Sequence, residues 1–281
     1  MRHMSSSTLA DFLLPTGFEC PRPAAVLREG SAVAEIGRYA LRAAGERRSR
    51  RSTPYAARAA AHRLSDPVIL VPGFLAGDGS LALLARTLRS QGFRTYRSHI
   101  HANVGCTLNA AAQLEARLES IAIQRDSRVQ IVGHSLGGML ARGIAVRRPD
   151  LVSNIVTMGS PMLAPGAHHR SLTASVEMLI RLSRAGVPGL MSEECVAGPC
   201  ARQSFSECRE PLPAGVGFTA IYSKRDGIVD WKACVDPAAA PVEVTASHLG
   251  MAFDPRVADV VTAGLYRSVS SAVEVDRGKS A

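Results

Sequence analysis

The stretch of sequence that decides the fold is VQIVGHSLGGMLARGIAV, residues 129–146. Its first four residues are mostly apolar and predict a buried strand. The segment GHSLG, residues 133–137, then interrupts the apolar run. Beyond it the apolar side chains recur at helical spacing, so the stretch predicts a strand, a sharp turn that carries a serine, and a helix.

The turn matches the pattern G-x-S-x-G, with Gly133, Ser135 and Gly137 at the fixed positions. A serine at such a turn lies in strained backbone geometry, and its hydroxyl is lifted clear of the sheet. A side chain two positions before or after the serine is expected to collide with it, which explains the two glycines. The N-terminus of the next helix favours developing negative charge. Ser135 is therefore the predicted nucleophile, and an idle serine in a glycine-rich turn is the alternative.

A serine nucleophile needs a histidine to take its proton, and a carboxylate to orient that histidine. After a G-x-S-x-G turn these residues follow later strands, in the order serine, acid, histidine. His248 is late enough in the chain and follows the predicted strand PVEVTA. Asp226 is the predicted acid, because it lies nearest the end of the strand GFTAIY. Asp230 and Asp236 stay open as alternatives.

An acyl-transfer site also needs hydrogen-bond donors for an oxyanion. The backbone N–H of Leu136, directly after the nucleophile, is one predicted donor. The other is the backbone N–H of Phe74, because VILVPGFLAGDGS reads as a buried strand followed by a glycine-rich loop. A glycine-rich turn without this role is the alternative interpretation.

Strands alternate with helices from Asp66 onward, which predicts an α/β fold with a mostly parallel sheet covered on both faces. The alternation breaks between residues 162 and 213, and this segment is interpreted as a cap or lid inserted above the sheet. The predicted organisation is a helical leader at 1–65, a core at 66–161 and 214–270, the cap at 162–213 and a loose tail at 271–281.

The leader is basic: eleven Arg face five acidic residues before Ser65, and the whole chain has a net charge of +9. This composition predicts a solvated basic segment, with contact to an anionic membrane surface as the alternative. No aromatic residue interrupts the arginine cluster at 47–51, so nucleic acid is not an expected partner. Whether the leader is ordered is left open. Four apolar residues on a helical stripe predict packing against the core: Val26, Val33, Ile36 and Leu41.

The six cysteines form no CxxC pair and no Cys/His set with zinc spacing, so no metal or other cofactor is expected. Cys195, Cys200 and Cys208 lie close in sequence; reduced thiols are favoured over a disulfide, which stays open. The N-terminus lacks a sustained apolar segment, and no run is long enough to span a bilayer. These features predict a soluble, cytoplasmic protein without a signal peptide or transmembrane helix, of unknown oligomeric state.

Four segments together resemble the α/β-hydrolase superfamily, in its lipase- and esterase-like branch: VILVPGFLAG, QIVGHSLGGMLA, IYSKRDGIVD and TASHLGM. The resemblance covers roughly residues 66–270. It implies Ser135, Asp226 and His248 as a catalytic triad and Phe74 and Leu136 as backbone donors. Since no clear strand precedes Val68, a trimmed sheet of about six strands is expected.

The predicted activity is hydrolysis of carboxylic esters, of acyl or lipid type, through an acyl-enzyme. The cap is rich in apolar side chains that either contact substrate or pack within the cap: Met162, Leu163, Leu172, Val176, Met178, Leu179, Ile180, Leu190 and Met191. An acyl thioesterase or acyltransferase with the same triad is the alternative, because the acyl-enzyme is the same. A non-catalytic binding protein on this fold is less favoured, since the sequence supplies all three triad residue types.

Overall fold

In the computed structural model of the chain, residues 10–50 and 66–278 are described, with side chains described for 10–45 and 66–266. The predicted segment 51–65 of the leader, with Arg51 of the arginine cluster, lies outside these residues. The described part forms six strands, all of which pair in parallel, in the order β2-β1-β3-β4-β5-β6. Their bounds are β1 Val68–Val71, β2 Thr95–Arg97, β3 Val129–His134, β4 Val152–Met158, β5 Gly217–Tyr222 and β6 Ala240–Glu243.

Helices follow the strands in the predicted alternation, which confirms the α/β fold class. Their bounds are α1 Ala32–Arg50, α2 Ala82–Ser90, α3 Thr107–Arg125, α4 Leu136–Arg147, α5 Arg170–Arg184, α6 Pro199–Glu207 and α7 Pro255–Gly278. Helix α7 continues through residues 271–278, into the segment predicted as a loose tail. A 3-10 helix, Pro23–Ser31, leads into α1.

The apolar core lies on both faces of the sheet. Side chains of a strand alternate between faces, and in β1 all four residues Val68–Val71 are buried. Ile69 and Val71 pack in one cluster with α3 and α4, whereas Val68 and Leu70 pack in the other with α2 and α7. Burial on both faces explains why β1 is apolar without alternation.

The predicted apolar stripe of the N-terminal segment does not face the core. Val33 and Leu41 of α1 are 77% and 76% exposed, whereas Glu35 is 1% exposed. Arg38 and Arg42 instead pair with Asp254 and Asp259 near the start of α7, each at 2.7 Å. The segment is attached through its charged side chains, so a prediction from apolar periodicity alone chose the wrong face.

Residues 162–213 form α5, α6 and the loops around them. Four of their side chains cluster together with Val176, and the cluster packs against Phe74 and Val104 of the core: Leu179, Ile180, Met191 and Val196. Met162, by contrast, is fully buried in the core beneath. In the described part of the chain, no helix has the length and apolar character needed to cross a membrane.

Candidate active site

The candidate residues all follow the carboxyl ends of strands in the parallel sheet. Phe74 comes after β1, Ser135 after β3, Asp226 after β5 and His248 after β6. Because the carboxyl ends of parallel strands meet at one edge of a sheet, the fold gathers residues that are far apart in sequence.

Ser135 occupies the sharp turn between β3 and α4. Its backbone has φ 52° and ψ −123°, which is a rare conformation for a residue other than glycine. Its N–H donates to the carbonyl of Met158 in β4, at 2.8 Å. The neighbouring strand therefore holds the turn in its strained geometry.

The two glycines of the pattern are needed, but not for the predicted reason. A Cβ at Gly133 would lie 2.4 Å from the Cα of Gly138, and one at Gly137 would lie 2.2 Å from the carbonyl oxygen of Val71. The collisions are thus with the backbones of α4 and β1, rather than with the nucleophile. The glycines let the turn close against its own helix and the adjacent strand.

Replacing Gly137 with alanine is expected to lower the free energy of unfolding by about 3 kcal/mol or more, because rigid backbone cannot yield to the new methyl group. Urea unfolding followed by circular dichroism measures this change. Gly79→Ala is the matched control: no atom lies within 4 Å of its Cβ position, and a change within about 0.5 kcal/mol is expected. Equal stabilities of the two variants would contradict this account of the turn.

His248 and Asp226 form a buried pair. The Nδ1–H of His248 donates to Oδ2 of Asp226 at 2.7 Å, which leaves Nε2 of the ring to accept a proton. The other oxygen, Oδ1, accepts the N–H groups of Ile228 and Val229, each at 2.8 Å. Burial opposes the charged imidazole, but the charge and hydrogen bond of Asp226 outweigh it, so the pKa of His248 is raised.

The carboxylates of the two alternative acids, Asp230 and Asp236, contact other groups. Oδ1 of Asp230 accepts the N–H of Lys232 at 3.1 Å and caps a short 3-10 helix. Asp236 pairs with Arg142, with the Nε and Oδ2 atoms 3.3 Å apart. The structure thus places Asp226 against His248.

The loop after β1 lies against Ser135. A Cβ at Gly73 would meet the Cβ of Ser135 at 3.0 Å. Phe74, Ser135 and Leu136 share the wall of one cavity, and Leu75 has a positive φ of 61°. This arrangement brings the loop that carries Phe74 close to Ser135 and Leu136.

His134, directly before Ser135, is neutral and supports the loop that carries His248. Its Nε2–H donates to the carbonyl of His248 at 3.0 Å, and the two ring centroids are 4.9 Å apart. Burial and the neighbouring His248 lower the pKa of His134 from 6.5 to about 3.

Comparisons with known proteins agree with this geometry. Residues 98–185 match the family described as PGAP1-like alpha/beta domain. The chain is 30% identical to a triacylglycerol lipase of Vibrio cholerae over 139 residues, which are 47% of this chain and 40% of that protein. It is 28% identical to a pimeloyl-[acyl-carrier protein] methyl ester esterase of Vibrio atlanticus over 117 residues, 37% of this chain and 45% of that one. The chain thus spans less than half the length of these relatives.

A solved structure extends the likeness over most of the fold. The mature lipase BlEst2 of Bacillus licheniformis superposes with a TM-score of 0.58, over 72% of this chain and 93% of that one, at 14% identity. The chain has the α/β-hydrolase fold. Its turn at Ser135 and its parallel six-stranded sheet are the two features of this fold that the sequence predicted.

A cavity of about 140 Å³ opens beside Ser135 in this α/β hydrolase. Its wall is mostly apolar, and residues of the core, the cap and the N-terminal segment contribute to it: Leu13, Phe74, Met139, Leu172, Val176, Met191, Val196 and Phe205. Of the apolar cap residues singled out in the sequence, Leu172, Val176 and Met191 line the cavity. Leu179 and Ile180 pack within the cap, and Met178 is 53% exposed.

Two buried polar residues hold loops at the site and could not be predicted from the sequence. The side-chain amide of Asn103 donates to the carbonyl of Pro72 at 3.0 Å, below the loop that carries Phe74. Glu29, in the 3-10 helix before α1, accepts backbone N–H groups from the loops of Asp226 and His248. The sequence offered no signal for either, because a single Asn or Glu in a polar stretch is typical of an exposed surface.

The three cysteines that lie close in sequence do not form one cluster in the structure. Cys195 and Cys200 lie beside Cys106, with the three Sγ atoms within 4.8 Å of one another. Cys208 is buried elsewhere, and its thiol donates to the carbonyl of Met139. No disulfide joins the cysteines of the described residues.

The low pKa of His134 makes the free energy of unfolding depend on pH. The unfolded chain binds a proton at this residue below pH 6.5 and the folded chain does not. The contribution of His134 to the free energy of unfolding is therefore complete above pH 6.5. Below that pH the free energy of unfolding falls by roughly 1.4 kcal/mol per pH unit, until the pH approaches 3. His248, whose pKa is raised, is protonated in both states over this interval and changes little.

We therefore expect wild type to lose roughly 2–3 kcal/mol more stability than His134→Asn when urea unfolding is compared at pH 6.5 and about pH 4.5. His101→Asn removes an exposed histidine and should behave as wild type. Identical losses in wild type and His134→Asn would show that His134 is not held neutral in the folded state.

Proposed function

We propose that the chain hydrolyses carboxylic esters with apolar acyl groups, with Ser135 as nucleophile, His248 as general base and Asp226 as its partner. The observation that carries the proposal is the geometry of Ser135, a residue of positive φ at a strand-to-helix turn that opens on an apolar cavity. The buried pair of His248 and Asp226, whose histidine ring lies beside that of His134, supplies the proton acceptor.

The first half-reaction forms an acyl-enzyme. The hydroxyl oxygen of Ser135 attacks the ester carbonyl carbon while its proton passes to Nε2 of His248. The N–H groups of Phe74 and Leu136 donate to the oxyanion of the tetrahedral intermediate. Collapse of that intermediate breaks the bond to the alcohol, which leaves with the proton from His248.

The second half-reaction repeats these steps with water. His248 removes a proton from water as it attacks the acyl-enzyme, and then returns that proton to Ser135. Asp226 stabilises the imidazolium in both halves and keeps the ring in the tautomer that has Nε2 unprotonated at the start.

The apolar wall of the cavity favours an acyl chain over a charged group, because burying an unpaired charge is costly. Leu172, Val176 and Met191 of the cap face this space. The two curated relatives act, by their names, on triacylglycerol and on a methyl ester, so a carboxylic ester is common to both.

The test combines covalent labelling with an ester panel. A fluorophosphonate probe should label wild type, and peptide mapping should place the label on Ser135. p-Nitrophenyl esters of increasing acyl length should be hydrolysed, with the best kcat/KM at a medium or long chain. Absence of both labelling and turnover in folded protein would refute the proposal. If the probe labels Ser135 but only acyl thioesters are turned over, the substrate is a thioester and not an oxygen ester.

A further inference from the structure

Three cysteine side chains meet where the cap joins the core. Cys106 directly precedes α3, Cys195 ends the short 3-10 helix Glu193–Cys195, and Cys200 lies in the first turn of α6. Each is half-buried, and their Sγ atoms lie within 4.8 Å of one another. Cys195 also lines the cavity beside Ser135.

The spacing of the sulfur atoms is close to that of a thiolate metal site. A Zn–S bond of about 2.3 Å in tetrahedral geometry separates two sulfur ligands by roughly 3.8 Å. Small side-chain rotations would therefore bring three Sγ atoms onto one ion, without movement of the backbone. The three residues come from separate segments, so the convergence is a property of the fold.

We propose that Cys106, Cys195 and Cys200 bind a thiophilic metal ion such as Zn²⁺. Three thiolates select soft ions over Mg²⁺ or Ca²⁺. Glu194, next to Cys195, carries a negative charge that acts on Cys200; its carboxylate or a water molecule would complete four ligands. The bound ion would fasten the cap to the start of α3, beside the cavity.

The test uses the full chain, purified under reducing conditions, and the metal ion alone. Titration with Zn²⁺ against a chromogenic chelator should give one ion per chain, and Co²⁺ should give the absorption band of thiolate coordination. Cys106→Ser and Cys195→Ser should each weaken binding on the order of 100-fold or more, because a direct ligand is lost. Cys20→Ser removes an exposed thiol and should bind as wild type.

Two results would overturn this proposal. One is binding that is absent, or unchanged by Cys106→Ser. The other is a disulfide among the three cysteines in protein isolated without reductant, seen after denaturation as two fewer reactive thiols than the six in the sequence. In either case the cluster would not be a metal site.

A different observation concerns the N-terminal segment and the triad loops. Oε1 of Glu29 accepts the N–H of Gly227 at 2.9 Å and that of His248 at 3.0 Å. Oε2 of Glu29 accepts the N–H of Leu249 at 2.9 Å. One buried carboxylate therefore joins the loop that carries Asp226 to the loop that carries His248.

Glu35 makes a second connection from the same segment. Its two oxygens accept the N–H and the hydroxyl of Ser247, at 2.9 and 2.6 Å. Ser247 precedes His248, so both carboxylates hold the backbone on which the histidine is placed. A Cβ at Gly250 would overlap Oε2 of Glu35, so a side chain there would displace this carboxylate from Ser247.

We infer that Glu29 is a positioning residue, which sets the distance and orientation between His248 and Asp226, and that Glu35 supports it. This inference rests on the proposed function, because it assigns both loops to the triad. The N-terminal segment is then a part of the catalytic apparatus, although it lies outside the core that resembles other α/β hydrolases.

The test is Glu29→Gln, which keeps the shape of the side chain but replaces one acceptor with a donor. We expect kcat to fall on the order of 10- to 100-fold through misplacement of the histidine, with KM little changed. Three groups face His248: the carboxylates of Asp226 and Glu29 and the ring of His134. Because Glu29 is one of the two charges that raise the pKa of His248, the acidic limb of the kcat/KM profile should move to lower pH.

Glu29→Asp separates charge from position. It keeps the charge but is one methylene too short, so the acidic limb should stay closer to wild type while kcat remains low. Glu119→Gln, at a half-exposed ion pair, should match wild type. A Glu29→Gln variant that only melts earlier, with wild-type kcat and pH profile, would overturn the positioning role. A wild type that neither hydrolyses esters nor labels would instead refute the proposed function.

Discussion

Replacing Ser135 with alanine is expected to lower kcat for a p-nitrophenyl ester about 10⁶-fold, because no other group at the turn can form the acyl-enzyme. The fold should be unchanged, since alanine adds no atom to the strained turn. Residual hydrolysis should come only from binding and the backbone donors. The measurement is single-turnover hydrolysis, alongside a melting curve that shows the variant to be folded.

Ser204→Ala is the matched control for this prediction. Ser204 lines the same cavity as Ser135, and its hydroxyl contacts that of Thr107 at 3.0 Å. The Ser204→Ala substitution removes a hydroxyl from the wall of the same cavity and should change kcat by only a few-fold. A Ser135→Ala variant that retains turnover above a tenth of wild type would exclude Ser135 as the nucleophile.

Replacing Asp226 with asparagine is expected to lower kcat about 10⁴-fold. The asparagine would present a neutral amide to His248, so the ring loses both the charge that stabilises the imidazolium and the acceptor that selects the tautomer. The loss should be in kcat rather than KM, since Asp226 does not line the cavity described beside Ser135. Steady-state kinetics with the preferred ester measures it.

Asp230→Asn serves as the control, because Asp230 lies four residues further on and caps a short helix instead. Its kcat should stay within a few-fold of wild type. If Asp230→Asn were the more damaging substitution, the acid would be misassigned and the loop at 226–230 would adopt another arrangement during catalysis.

The fold and the predicted triad residues could be read from the sequence because both depend on local patterns. The apolar runs of β1 and β3 indicate strands buried on two faces. Parallel strands bring their carboxyl ends together, so residues that follow separate strands were expected to meet, and the structure pairs Asp226 with His248. The sequence showed that the turn needs glycine at two positions for steric reasons. It did not show which atoms a side chain there would collide with.

What the sequence did not reveal depends on tertiary contacts without a local pattern. The apolar residues of α1 have helical periodicity, yet Val33 and Leu41 are exposed and Glu35 is buried. Burial of Glu35 is offset by the N–H and the hydroxyl of Ser247, which lies 212 residues further along the chain. Periodicity contains no information on such donors, and the same limit applies to Glu29 and Asn103.

The bonds of Glu29 join residues 198 to 220 positions apart in the chain. During synthesis the carboxylate of Glu29 is made first, and its last donor, the N–H of Leu249, follows 220 residues later. Contacts that close such long loops are costly in chain entropy and form late in folding. Recovery of ester turnover during refolding should therefore trail the recovery of secondary structure, so that catalytic competence marks the completion of folding.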